Sequence, residues 1–225
     1  MTRFPRPGCW YRFTAADWQF IRDALALTQR ERDSLVSLLD DPDAVQMILD
    51  HPKLFEAIMG RQAAVISPEL FFFVTVRHTL KRVGVQELGV ADYIAVVCAD
   101  FGLPATAAQK LPPNRLESLY SIDYITALEN AGSHERFFIH VQCANQFLVL
   151  TSLYPDFLHR RAERRGAPDV EFYEQVVVSH LEAAGRHALA EEFALDQTLT
   201  HVAHAFPPAR RAMNHTVREY LSLGA

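Results

Sequence analysis

Residues 136–154, RFFIHVQCANQFLVLTSLY, constrain this chain more than any other stretch. Placed on a helix of 3.6 residues per turn, Phe137, Ala144, Phe147 and Leu148 form one stripe. Ile139, Cys143 and Leu150 form a second, and Phe138, Val141 and Val149 a third. A helix that is apolar all round is either a membrane span or the buried centre of a soluble bundle. His140, Gln142, Asn145 and Gln146 interrupt the run, so the expectation is a bundle centre and no membrane span. Polar groups in such a helix need partners inside the fold, and His140 and Asn145 are the first to question.

A second strongly apolar helix is expected after Ser67-Pro68-Glu69, which read as an N-cap, a first-turn proline and a first-turn carboxylate. Phe72, Val76, Leu80 and Val83 mark its inner face, and Gly84 ends it. Around these two helices the chain predicts an all-α fold, a multi-helix bundle of about nine to ten helices. Residues 1–13 read as an extended aromatic arm and Thr14 as the first N-cap. Ser133 caps the central helix. Pro168-Asp169 opens a helix to about Leu189, a further helix covers 190–206, and Pro207-Pro208 act as a stop and restart before a last helix over 208–221. We read 1–225 as a single domain, with the Pro-rich stretch 102–116 as the one place where it could divide.

Of the 225 residues, 49% are hydrophobic and 22% charged, enough for a full core. The net charge of −5 argues against a nucleic-acid binder. No secretory signal is visible at the N-terminus, and Cys9, Cys98 and Cys143 form no CxxC pair. Reduced core cysteines in a cytoplasmic protein fit this pattern.

Tyr173, His180 and His187 lie seven apart, flanked by Val176, Val177, Ala184 and Ala188. On one continuous helix they form a polar column inside the apolar stripe, and His140 lies likewise on the stripe of the central helix. Facing helices of a bundle can hold a ligand, haem or metal with such groups; the plain alternative is a set of satisfied core or interface histidines. The chain has no Glu-x-x-His and no HExxH, which argues against di-iron and zinc-peptidase chemistry, and no metal ligand is assigned. His201 and His204 fall off their helix's apolar stripe and read as solvated. Arg77 and His78 sit in the second apolar helix, where a partly buried Arg clamps a carboxylate of the protein or of a ligand. The run 159–165, HRRAERR, is the one basic cluster; it could touch phosphate, or only complement a helix C-terminus. No nucleophile motif is present. The spacing assembles no seryl or cysteinyl nucleophile arrangement, and Cys143 lies inside the central helix.

The expected function is a non-catalytic regulatory or scaffold protein acting through association, as a homodimer. The alternative is a bundle binding haem, a metal or a small ligand near His140, Asn145, Tyr173, His180 and His187, or at Arg77 and His78, possibly an enzyme.

Overall fold

Caps and first-turn prolines decide where the helices begin. The computed structural model describes residues 9–26, 28–38, 41–60, 66–101 and 121–221. The fold is all-α: twelve α-helices and no strand occur among the described residues. No helix among them is long and apolar enough to cross a membrane. By proximity the chain divides into two compact units, Met1–Ala99 and Asp100–Ala225. The Pro-rich stretch 102–116 lies outside the described residues, as do residues 1–8 of the N-terminal arm.

The first unit opens with a 3-10 turn, Cys9–Arg12, followed by α1 (Ala15–Leu25), α2 (Gln29–Leu38), α3 (Pro42–Leu49), α4 (Pro52–Met59), α5 (Pro68–Arg82) and α6 (Leu88–Phe101), whose last two residues fall past the division. Thr14 caps α1 in a reciprocal box: its hydroxyl accepts from the Asp17 amide, and the Asp17 carboxylate accepts from the Thr14 amide at 2.7 Å. Asp17 is fully buried, and its other oxygen accepts from the Ser67 amide at 2.7 Å. Ser67 in turn caps α5 through Leu70. One carboxylate thus ties two helix starts together. Phe13 packs edge-on against Phe73, and Arg12 pairs with Glu69 at 3.0 Å. Leu70, Phe72, Phe73, Val76 and Leu80 of α5 are buried, as are Leu54 and Ile58 of α4 and Ile21 of α1. Val83, expected on the inner face, is 43% exposed. It follows the last helical residue, and Gly84, at φ +81°, turns the chain away.

The second unit holds α7 (Ser121–Asn130), α8 (Ser133–Leu153), α9 (Pro155–Arg165), α10 (Val170–Gly185), α11 (Ala188–Glu192), α12 (Asp196–Thr216) and a π-helical turn, Val217–Leu221. The apolar 136–154 stretch is the centre of α8, which packs on both α10 and α12, while those two also pack on each other. From Cys143 to Leu153 every residue of α8 except Gln146 is buried. A polar chain crosses this three-helix core. Glu174 of α10 accepts from Arg210 of α12 at 2.5 Å. Arg210 also donates to Asn214 at 3.1 Å, and Asn214 donates to the Thr151 and Ser152 carbonyls of α8 at 2.7 and 2.8 Å. Those carbonyls stand in the last turn of α8, where a helix has no backbone donors left to offer.

Three boundaries differ from expectation. The cap of α8 is Gly132, and Ser133 is its first residue: the Glu135 carboxylate reaches back to the Gly132 amide at 3.0 Å. The helix opened by Asp169 stops at Gly185, short of Leu189. A Cβ on Gly185 would come within 2.9 Å of the Thr200 hydroxyl, so the missing side chain is what lets α10 and α12 approach. The chain then turns at Arg186 and His187, forms the short α11, and turns again at Ala194, whose φ of 54° is left-handed. Finally, Pro207 and Pro208 do not stop the last helix; both lie inside α12. Each forfeits one backbone bond. Phe206, Ala209 and Met213, buried on either side of the pair, hold the helix through it by packing.

Phe147 is 1% exposed, stacked on Tyr173 at 4.9 Å and edge-on to Tyr124. Phe147→Ala is expected to destabilise the protein by about 3–5 kcal/mol. His204→Ala, at an exposed position, should stay within about 0.5 kcal/mol. Denaturant unfolding of both variants checks the ordering.

Candidate functional site

In the first unit, Arg77 lies in the middle of α5 and is 1% exposed. Its guanidinium meets Asp92 of α6: Nε and a terminal nitrogen donate to the same carboxylate oxygen at 2.8 and 2.5 Å. The other terminal nitrogen donates to Gln46 of α3 at 2.5 Å and stands 3.9 Å from Asp50, which Lys81 holds at 2.6 Å. The guanidinium also lies 5.5 Å over the Phe73 ring. The carboxylate that Arg77 clamps is therefore the protein's own. His78, one residue on, is stacked face to face on Phe55 at 3.7 Å. Burial, with Arg82 and Lys81 nearby, holds its imidazole below the usual value, and Glu56 opposes them.

In the second unit, the structure brings His140 and His180 together and leaves His187 apart. His140 Nδ1 and His180 Nδ1 are 3.1 Å apart, and the rings meet at 60°. The other nitrogen of His180, Nε2, lies 3.7 Å from the Cys143 thiol. His187 leaves the column because α10 has already ended. It caps α11 instead, accepting from the Leu189 amide at Nδ1. Its Nε2 therefore carries the proton and donates to the Ser133 carbonyl at 2.9 Å, pinning the start of α8. Tyr173 is 3% exposed and packed on Phe147; Asn145 is 5% exposed, and both have polar or ring partners within the fold. His201 and His204 are exposed.

Cys143, His180 and His140 stand in a line that the sequence spacing did not suggest. A nucleophile, a base and a group orienting the base have this order in covalent catalysis. The electrostatics point the other way. Burial pushes the Cys143 thiol up to about 12, and burial followed by the proximity of His140 pulls His180 down to about 4. The proton stays on sulfur. A self-consistent chain then has the thiol donating to His180 Nε2, His180 Nδ1–H donating to His140 Nδ1, and the His140 proton on Nε2. With Cys143 1% exposed, this is an inert thiol in a structural relay. Among the described residues no group of three or more His, Cys, Asp or Glu side chains is placed to hold a metal ion. His180 shows why: it faces its two partners with two different nitrogens.

Sequence reading missed Cys143 as a partner of His180, and it missed the Glu174–Arg210 pair. The α10 and α12 helices bury both residues of that pair, with Glu174 and Arg210 each 6% exposed. An Arg and a Glu at the edge of apolar stripes were the available signal, but nothing in the chain says that the two stripes face each other.

Two measurements probe these groups. Arg77→Met leaves Asp92 charged and without its guanidinium, so a loss of about 3–5 kcal/mol is expected in denaturant unfolding. Adding Asp92→Leu should recover part of it, because the stranded charge is gone. The second test is pH. His140 is lowered by burial, then by His187 and Arg136, and His180 is lowered as above. In the unfolded chain both titrate near 6.5. As pH falls below about 6.5, the unfolded chain takes up protons that the folded one refuses, and stability is lost down to about pH 4. Two protonated imidazoles cannot share the Nδ1 contact, since both would be donors. His180→Phe should flatten this part of the stability–pH curve.

No protein-family model matches this sequence, no curated protein matches it, and no solved structure matches its fold.

Proposed function

We propose that this chain is a non-catalytic helical protein of the cytoplasm that acts through association, as a homodimer in a regulatory or scaffold role. The observation that carries this reading is how the buried and half-buried polar groups are used. Arg77 is bound to Asp92 and Gln46, His180 to His140 and Cys143, and His187 to Leu189 and Ser133. Groups withdrawn from solvent and already bonded within their own chain are poor first ligands for a haem, a metal or a substrate. The Cys143 thiol beside His180 is buried and protonated. Apolar area is meanwhile left at the surface: Met47 is 76% and Tyr11 72% exposed in the first unit, Ile125 49% and Phe172 43% in the second. Met is over-used at surfaces that bind other proteins.

Sedimentation of the purified protein, with an absorbance spectrum and elemental analysis, tests the proposal. The expected result is a concentration-dependent dimer, no visible chromophore and no stoichiometric metal. Met47→Asp is expected to weaken the dimer and leave the helical content unchanged. A protein that is monomeric at every concentration, or one carrying a stoichiometric metal or chromophore, would overturn the reading in favour of a ligand-binding bundle.

A further inference from the structure

The last six residues of α9, 160–165, carry four arginines. Arg160, Arg161, Arg164 and Arg165 line a single cleft together with Phe157. A helix C-terminus attracts cations, and Gly166 ends α9 in the left-handed conformation just beyond. That attraction reaches only the last turn and so accounts for Arg164 and Arg165. Arg160 and Arg161 sit one turn earlier, four residues before Arg164 and Arg165, where like charges repel. The neighbouring carboxylate of the helix, Glu163, pairs with His159 at 3.2 Å. Arg160, Arg161 and Arg165 are not loose side chains, for each keeps a further interaction within the protein.

We infer that this cleft binds a small polyphosphate. All four cations are arginines, whose planar forks engage phosphate oxygens in pairs where a lysine offers a point charge. A carboxylate or a lone phosphate needs one or two of them. Two arginine pairs separated by four residues stand about 6 Å apart along the axis at 1.5 Å per residue. That layout suits a chain of linked phosphates lying along the helix. Phe157, half-buried in the same cleft, supplies an apolar wall on which a ring attached to the phosphates can rest. The shared chemistry is the polyphosphate chain, whether free or carried by a nucleoside. A long nucleic acid fits less well, given a net charge of −5 and a cleft whose four arginines span two turns of one helix.

Calorimetric titration of the whole protein with inorganic triphosphate and, separately, with ATP tests the site at two salt concentrations. Saturable binding at one site that weakens as salt rises is expected. Arg161→Ala with Arg164→Ala should weaken it by more than about tenfold, while Arg211→Ala, an exposed arginine of α12, should not. Thermal melts of the variants establish that they fold. Equal affinity for the two ligands places the recognition in the phosphates alone. Tighter binding of ATP that Phe157→Ala removes adds the ring contact. Either result supports the site. Absence of saturable binding, binding unaffected by the double change, or binding of single-stranded RNA without binding of triphosphate would overturn it.

Discussion

A polar group taken out of water must be paired, and most of the architecture of both units follows from how that demand is met. Asp17, Arg77, Asp92, Glu174 and Arg210 are all nearly or wholly buried, and each is bonded. A lone buried ion costs several kcal/mol, so each partner constrains the helix that carries it. Asp17 brings the starts of α1 and α5 to one point. Arg77 requires α6 and α3 to present Asp92 and Gln46 at the middle of α5. Glu174, Arg210 and Asn214 hold α10 and α12 in register and close the exposed end of the α8 hydrogen-bond ladder.

Apolar burial supplies most of the driving force, but it is indifferent to register. α8 is apolar on so many sides that packing alone leaves its rotation and its height in the bundle loosely specified. The Asn214 contacts at one end and the His187–Ser133 contact at the other restrict both. His140 and His180 add a hydrogen bond between α8 and α10 that requires at least one of the two rings to be uncharged. The relay that resembles catalytic apparatus is thus better explained as part of this positioning. Chemistry demands a thiolate that a substrate can reach, and burial withholds both the charge and the access.

Where function is concerned, interior and surface tell different stories. In the interior the charged groups Asp17, Arg77, Asp92, Glu174 and Arg210 are bonded within the chain, while Thr75 Oγ1, Gln146 Nε2 and Ser152 Oγ are buried without a hydrogen bond. Among the described residues the outside includes scattered apolar side chains such as Met47 and Tyr11 and, in the second unit, the arginine cleft of α9. The first suits a protein partner and the second an anion. Association and anion binding are compatible, since they draw on different residues.

Periodicity and caps alone determined that this chain is all-α, that 136–154 forms a central helix, buried in its second half, and that Ser67, Pro68 and Gly84 bound a second apolar helix. These are local matters: an apolar stripe and a cap are written within a few turns of chain. The endings of α10 and α12 were decided elsewhere. Gly185, the last residue of α10, leaves room for the close approach of Thr200, and Pro207-Pro208 are carried through by packing on both sides. The site divided in the same way. The sequence marked His140, His180 and Arg77 as polar groups on apolar faces, which is all that spacing can say. That His180 meets His140 and Cys143, that His187 meets Ser133, and that Arg77 meets Asp92 depends on which faces are opposed. Helix faces oppose each other through contacts between residues far apart in sequence, so only the tertiary structure could name the partners.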